Sequence, residues 1–341
     1  MRRSGFGKIF AAGAFLASLV VTILGSGIAR AASEVDFFKG KTITYIVATK
    51  PGGGYDTNAR LISKHMEKYL GATIVIKNVP GAGHIIGANQ IYAAKPDGLT
   101  FGTFNTGLIY AQLVNQPGIK FDLRKFTWIG KASSEARVLV VSAKSPYRTF
   151  DDLKKTKEVK LGSSGVGSAA YNETLMISRA FGININIIAG YSGREDELAM
   201  RRGEIEGTIA SYSSFERFVK EGEGRILLQI AAKKHPDLRN VPLASDIVPA
   251  KGNGLINLIS ATAEISRFTA GPPGIPAVRA QFLIEAYRKA LTDPELLAQA
   301  QKAELPIDPL YGQEVAKLIS EAFDQPQENV DLLRKIVKEE K

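Results

Sequence analysis

Short apolar runs alternate with amphipathic segments along most of this chain. Residues 41–50 form an apolar run typical of a buried strand, and a Pro-Gly-Gly-Gly turn at residues 51–54 ends it. The next segment, up to Leu70, places its apolar residues on one helical face. Residues 73–79 predict a second strand. A strand–helix–strand unit is therefore expected within about forty residues, the length that a right-handed crossover needs.

The same succession continues down the chain, and a glycine turn at residues 162–168 restarts it. Further strands are predicted at residues 99–104, 126–131, 137–142, 159–161, 183–188, 205–211 and 225–231, with an extended run at 267–270. Helices are predicted up to residue 94, from residue 149, and at residues 169–181, 195–202, 255–263, 277–292, 294–303, 312–323 and 329–338. Strands that alternate with helices in this way predict an α/β fold.

The restart at residues 162–168 predicts a second α/β domain. A chain that leaves one domain and later returns to it passes twice between the domains, and these two connecting segments are called the crossings. We expect these crossings near residues 131–137 and 230–234. The predicted domains are accordingly residues 33–133 with 234–341, and residues 134–233.

The first thirty-two residues predict an export signal and no part of the fold. Arg2, Arg3 and Lys8 precede an apolar stretch at residues 9–28, and Ala29-Arg30-Ala31 follows it. Positive, apolar and small-residue regions in this order are typical of a secretory signal peptide, with cleavage expected after Ala31 or Ala32. A membrane anchor is the alternative, but the stretch contains glycines and is short. We expect a mature protein in the periplasm.

Composition narrows the possible functions. The 341 residues include no cysteine, which excludes disulfides, thiolate metal sites and a cysteine nucleophile. The formal charge is +10, and removing Arg2, Arg3, Lys8 and Arg30 leaves 10 − 4 = +6. Lysine and arginine are scattered and accompany no nucleic-acid motif, so nucleic acid is not an expected partner. No catalytic triad motif, metal motif or cofactor requirement is evident, and we predict a protein that is not an enzyme.

The residues from Pro51 to Asp56, here called the glycine corner, are a candidate anion site. Glycines let a ligand approach bare backbone amides, and Asp56 is expected to cap the helix that follows. A helix N-terminus at the carboxyl end of a strand attracts anions. Among the three histidines, His84 is the one in a glycine turn and the one most suited to contact a ligand, whereas His65 is expected in the core.

The turn from Gly162 to Ser168 allows three interpretations. Residues 165–170 fit the G-x-G-x-x-A pattern of dinucleotide-binding turns, although no acidic residue ends the next strand to hold a ribose. The same free amides, with the hydroxyls of Ser163, Ser164 and Ser168, could instead hold a carboxylate. A plain structural turn is the third possibility.

Several motifs in this order resemble the solute receptors of tripartite tricarboxylate transporters. They are Pro51-Gly52-Gly53-Gly54-x-Asp56, Pro80-Gly81-Ala82-Gly83, Gly87-Ala88-Asn89, Lys95-Pro96-Asp97-Gly98-Leu99-Thr100, Gly165-Val166-Gly167-Ser168, Tyr191-Ser192-Gly193, Gly203-Glu204-Ile205-Glu206 and Gly271-Pro272-Pro273-Gly274-Ile275-Pro276. The resemblance covers the mature chain. It implies a type II-like periplasmic binding protein, with two mixed-sheet lobes joined by hinge strands and with C-terminal helices.

The resemblance also implies a function and a site. The protein would be monomeric, bind a small organic carboxylate between its lobes without a cofactor, and deliver it to membrane transporter subunits. The implied ligand-binding residues are Gly53, Gly54, Tyr55, Asp56, Asn105, Thr106, Ser163, Ser164, Gly167, Ser168 and Tyr191. The chain departs from the family pattern at His84, Tyr171 and Glu206. Two other hypotheses remain open: an exported enzyme that binds a nucleotide at the Gly165 turn, and a ligand-sensing partner of a signalling protein.

Overall fold

The computed structural model describes residues 36–191 and 194–339. The predicted signal peptide lies outside the described residues, as do Ser192 and Gly193 of the Tyr191-Ser192-Gly193 motif. Within the described part of the chain, no helix has both the length and the apolar character that crossing a membrane requires.

The described residues form two mixed sheets with helices around them. The strands are β1 Thr42–Val47, β2 Thr73–Asn78, β3 Thr100–Thr103, β4 Thr127–Ser133, β5 Arg137–Ser142, β6 Val159–Ser163, β7 Ile185–Ala189, β8 Gly207–Ser211, β9 Gly224–Ile230, β10 Ser266–Gly271 and β11 Leu310–Tyr311. The helices are α1 Gly54–Leu70, α2 Ile85–Tyr92, α3 Gly107–Leu113, α4 Phe150–Lys155, α5 Ala169–Phe181, α6 Glu195–Arg202, α7 Tyr212–Lys220, α8 Ala244–Ile247, α9 Asn253–Ala263, α10 Ala277–Thr292, α11 Pro294–Lys302, α12 Gln313–Phe323 and α13 Gln327–Glu339.

The first sheet has the order β11-β4-β10-β3-β1-β2, and the second has the order β7-β6-β8-β5-β9. In the first sheet β1 runs parallel to β2 and β3, whereas β10 and β11 run antiparallel to β4. In the second sheet β6 runs parallel to β7 and β8, whereas β5 runs antiparallel to β8 and β9. The prediction of two mixed-sheet α/β lobes with C-terminal helices is confirmed.

The strand before the glycine corner is buried on both faces. Tyr45 and Val47 pack with α1 and α10, whereas Ile46 and Ala48 belong to the core on the other side of the sheet. That second core continues into the second sheet, where it includes Leu139 of β5. Helices on both faces of a sheet require such continuous apolar strands. The two lobes therefore share one apolar core.

The crossings between the lobes lie side by side. The amide of Glu135, between β4 and β5, donates to the carbonyl of Ala263 at 3.1 Å. Lys131 Nζ donates to the carbonyl of Glu264 at 3.0 Å, just before β10. Helices α8 and α9 precede this return, and they pack against β9 and α5 of the second lobe. We propose that the second domain extends to about residue 263, beyond the residue 233 expected from the sequence.

The structure corrects the predicted start of α1. Gly53 is the residue that precedes this helix, so Asp56 lies in its first turn and is not the cap. The buried carboxylate of Asp56 instead accepts hydrogen bonds from the Gly52 amide at 3.0 Å, Arg60 Nε at 2.9 Å and Asn78 Nδ2 at 2.9 Å. Burial would raise the pKa of Asp56, but these hydrogen bonds outweigh burial and lower it. Asp56 therefore fixes the shape of the glycine corner.

Candidate functional site

A cavity of about 90 Å³ lies between the two lobes. It forms where the parallel strands of both sheets reach their carboxyl ends, the position at which open α/β sheets bind ligands. The first lobe contributes Thr49, Gly53, Gly54, Tyr55, His84 and Asn105, and the start of β5 contributes Arg137. The second lobe contributes Ser164, Ala170, Tyr191, Asp196, Thr208, Ile209, Ala210, Ser211, Ser214 and Phe215.

The N-terminus of α1 opens into this cavity. Gly53, Gly54 and Tyr55 line the cavity wall, and the first amides of a helix have no partner within it. Seventeen residues of aligned peptide dipoles lie behind these amides. The positive end of the helix dipole therefore points to the place where an anion would sit.

Three buried hydroxyl or imidazole atoms around the cavity have no hydrogen-bond partner in the described structure. They are Thr49 Oγ1, His84 Nδ1 and Ser163 Oγ, and Ser163 directly precedes the cavity residue Ser164. Burial lowers the pKa of His84 to about 4, so its ring is neutral near pH 7. Buried polar atoms without partners are costly and uncommon, and a bound ligand would satisfy them.

Arg137 lines the cavity and forms a buried ion pair with Glu173 behind it. Arg137 Nε donates to Glu173 Oε2 at 2.8 Å and Arg137 Nη2 donates to the same oxygen at 2.6 Å. Arg137 Nη1 donates to Ser211 Oγ at 2.9 Å, and the Tyr110 hydroxyl donates to Glu173 at 3.4 Å. This pair was not predicted from the sequence, because thirty-six positions separate the two residues and neither lies in a motif.

A second buried pair, Arg267 and Glu135, joins the two crossings. Arg267 Nε donates to Glu135 Oε1 at 3.0 Å, and Arg267 Nη2 donates to Ser213 and Ser214, each at 3.1 Å. The guanidinium lies over the ring of Tyr55, 4.5 Å from its centre. Arg267 Nη1 has no partner within the described residues. Arg267 also has a φ of 52°, a strained conformation for a residue with a side chain.

The glycine turn of the second lobe packs against the first lobe. Ser168 caps α5, its Oγ accepting from the Tyr171 amide at 3.3 Å. The amide of Ala169 donates to Asn105 Oδ1 of the first lobe at 3.2 Å. A Cβ at Gly107 would lie only 2.1 Å from the Ala169 nitrogen, so the lobes approach closely here. A nucleotide at this turn would require the lobes to part.

The predicted site residues divide into two groups. Gly53, Gly54, Tyr55, Asn105, Ser164 and Tyr191 line the cavity. Asp56, Thr106, Ser163, Gly167 and Ser168 do not line it, although each lies next in sequence to a cavity residue or in the turn between the lobes. Thr49, Arg137 and Asp196 line the cavity and were not predicted. The hydroxyl of Tyr191 donates to Glu204 at 3.2 Å, so its ring forms the wall.

One cluster in the described chain has the spacing of a metal site, on α1 and the start of α11. It consists of His65, Asp293 and Glu295. Lys68 Nζ donates to Asp293 at 3.4 Å and to Glu295 at 2.6 Å. An ammonium group therefore already binds both carboxylates, which explains the cluster without a metal.

The model of the tripartite tricarboxylate transporter family receptor matches residues 58–334. The chain belongs to this receptor family. Among curated relatives, a UPF0065 protein from the tcbD–tcbE intergenic region of Pseudomonas sp. strain P51 is 26% identical over 275 residues, which is 78% of each chain. A UPF0065 protein of Bordetella bronchiseptica is 24% identical and covers 79% of this chain and 78% of its own.

Solved structures share the fold of this receptor family member. A periplasmic transporter is 25% identical with a TM-score of 0.70, covering 88% of this chain and 97% of its own. MatC of Rhodopseudomonas palustris with bound malate is 22% identical with a TM-score of 0.70, and the match covers 87% of this chain and 99% of MatC. An R. palustris protein with adipate is 22% identical with a TM-score of 0.69, and the match covers 86% of this chain and 97% of that protein.

Proposed function

We propose that this receptor binds a small organic carboxylate in the cavity between its lobes and delivers it from the periplasm to a membrane transporter. The observation that carries this proposal is the opening of the α1 N-terminus into a cavity lined by the unpartnered Thr49 Oγ1 and His84 Nδ1. Together these groups offer several hydrogen bonds to oxygen atoms of an anion.

The magnitudes are sufficient for a receptor. A hydrogen bond to a charged oxygen contributes about 1.5–3 kcal/mol net. Four or five such bonds, at about 2 kcal/mol or more each, reach the roughly 8 kcal/mol of micromolar binding, and at the upper end of the range they also offset part of the cost of ordering the ligand. Exclusion of water between the lobes strengthens each bond. The structures with malate and adipate support carboxylates as the ligand class for this chain.

A thermal-shift screen of mono-, di- and tricarboxylates tests the ligand class. A ligand at a hundred times its dissociation constant adds about 2.7 kcal/mol of stability, which raises Tm by about 4 °C for roughly 300 residues. Uncharged alcohols with the same carbon skeletons serve as controls. A protein that nucleotides stabilise and no carboxylate stabilises would contradict the proposal.

Thr49→Val tests the site. Valine keeps the shape and removes an unpartnered hydroxyl, so the unliganded receptor should be as stable as wild type or more stable. Carboxylate affinity should fall about tenfold. Thr174→Val is the matched control, because the Thr174 hydroxyl already donates to the Ala170 carbonyl and lies outside the cavity. Equal affinities for wild type and Thr49→Val would remove Thr49 from the site.

Delivery to a transporter is tested in cells. Deleting the receptor should abolish uptake of the radiolabelled carboxylate that the screen identifies, and expressing the wild-type receptor should restore it. Uptake that persists without the receptor, together with ligand-dependent capture of a signalling protein, would favour the sensor hypothesis.

A further inference from the structure

One carboxyl group lies in the wall of the cavity that we assign to an anion. Asp196 belongs to the first turn of α6 and lines the cavity. Its carboxylate accepts a hydrogen bond from the Glu197 amide at 3.0 Å. Its neighbours Glu195 and Glu197 are both acidic, and no cation among the described residues forms an ion pair with it. An ionised Asp196 would repel the ligand proposed above.

Contacts on either side of Asp196 hold it against the first lobe. Glu195 forms an ion pair with Lys50 at 2.7 Å, and Arg194 Nε donates to the carbonyl of Gly52 at 3.2 Å. Lys50 and Gly52 flank the start of the glycine corner. The first turn of α6 is thereby fixed opposite the N-terminus of α1, where the anion is expected. Asp196 must therefore face the ligand when the lobes are closed.

The other titratable groups of the cavity do not balance a charge on Asp196. Arg137 is bonded to Glu173 and Ser211, and the pKa of His84 is about 4, so His84 is neutral above pH 6. Burial raises the pKa of Tyr55, and burial with the bond to Glu204 raises that of Tyr191. None of these groups changes charge between pH 6 and pH 9.

Burial raises the pKa of Asp196 to about 7, and the neighbouring glutamates act in the same direction. A fraction of the free receptor therefore carries a neutral Asp196 at neutral pH. Two carboxyl groups in contact cannot both ionise without a large cost, so they share one proton.

We propose that Asp196 is a ligand-recognition residue that binds as a neutral acid and donates its O–H to a carboxylate oxygen of the ligand. This inference rests on the proposed function. Where Asp196 is ionised in the free receptor, its oxygen takes one proton from the solvent on binding, and no other bond changes. The complex then holds one proton more than the separated receptor and ligand. The site therefore prefers a fully ionised anion with an oxygen acceptor in reach of α6.

Proton uptake is measurable by titration calorimetry in buffers of different ionisation enthalpy, with malate and adipate as probes. With the lobes in contact as in the structure, where the pKa of Asp196 is about 7, uptake should be about 0.5 proton per ligand at pH 7 and about 0.9 at pH 8. From pH 7 to pH 9 the affinity should weaken by about fiftyfold, because the neutral fraction of Asp196 falls by that factor. Both probes are ionised throughout this range.

Asp196→Asn supplies a neutral donor at every pH. Its binding should take up no proton and should keep the same affinity from pH 7 to pH 9. Asp246→Asn is the matched control, the same substitution at an exposed carboxylate on α8, and it should keep the wild-type proton uptake. If the Asp196→Asn variant does not fold, the wild-type proton count decides alone.

The outcomes separate this inference from the proposed function. If no small carboxylate binds the wild-type receptor, the proposed function fails. If carboxylates bind without proton uptake, or if Asp196→Asn keeps the wild-type pH dependence, only the assignment of Asp196 is wrong.

Discussion

The buried pair of Arg137 and Glu173 allows a test of how the cavity attracts its ligand. In Glu173→Gln the side chain keeps its shape and one acceptor, but Arg137 loses its counter-charge inside the protein. The guanidinium remains bonded to Ser211 Oγ at 2.9 Å and stays at the cavity wall. The unliganded receptor should therefore lose stability, and an anionic ligand should restore part of it.

The magnitude follows from the burial of both partners. Removing one member of a buried ion pair costs about 3–5 kcal/mol, and glutamine keeps one hydrogen bond, so we expect about 3 kcal/mol. With an unfolding entropy of about 0.6 kcal/mol/K for roughly 300 residues, Tm should fall by about 5 °C. Because the ligand then supplies the missing negative charge, its affinity should rise about tenfold, or 1.4 kcal/mol.

Urea denaturation and calorimetric titration of the same preparations measure both effects. Glu221→Gln is the control, since Glu221 directly follows α7 and forms an exposed pair with Arg217 at 2.7 Å, and this substitution should change neither quantity appreciably. The double variant Arg137→Met/Glu173→Met should regain stability but bind the carboxylate weakly. Unchanged or weaker binding by Glu173→Gln would show that Arg137 does not attract the ligand.

Three further predictions follow from named contacts. Gly107→Ala places a Cβ 2.1 Å from the Ala169 nitrogen, so it should hold the lobes apart. Small-angle scattering of the liganded variant should therefore give a larger radius of gyration than that of the liganded wild type. His84→Asn should make the protein less sensitive to acid. The pKa of His84 is about 4 in the folded protein and 6.5 in the unfolded chain, so this histidine lowers the free energy of unfolding by about 2 kcal/mol from pH 7.5 to pH 5. Urea midpoints measure this loss, which the variant should avoid. Ser168→Ala removes the α5 cap and should lower the unfolding free energy by about 1 kcal/mol, with a smaller effect on affinity.

The sequence predicted helices and strands best where local signals mark both ends. Helix α5 spans residues 169–181 as predicted, and the structure shows Ser168 capping its start and Gly182, in the left-handed conformation, following its end. Helix α10 lies between Pro276 and Asp293-Pro294, and its predicted bounds agree with the structure. Such ends depend on the backbone chemistry of a few adjacent residues, so a single sequence contains them.

Helices α3 and α7 were missed for a different reason. Helix α3 is short and buried on nearly all sides, so its apolar residues show no amphipathic period. Helix α7 begins directly after β8, with no turn residue between Ser211 and Tyr212 to separate them. Tertiary packing stabilises both helices: α3 packs against α5 of the second lobe, and α7 packs against β5, β8 and β9 of its own lobe.

The candidate site was predictable only where the backbone forms it. The glycine corner and the strand ends at Asn105 and Ser164 carry turn signals, and the structure places these residues around the cavity. Arg137 follows no such signal, because it occupies the first position of an apolar strand. Its partner lies on a helix thirty-six residues away, and only the fold brings the two together.

The two buried ion pairs also limit how strongly the cavity can hold an anion. Arg137 and Arg267 both act electrostatically on Tyr55 at the cavity wall, yet each is balanced by a glutamate, Glu173 or Glu135. A balanced guanidinium attracts an anion over a short range only, so binding depends mainly on hydrogen bonds that form when the lobes close. A receptor that passes its ligand on must also release it, and opening breaks those hydrogen bonds. An unbalanced arginine would oppose release, which is why Glu173→Gln should bind more tightly and release the carboxylate more slowly.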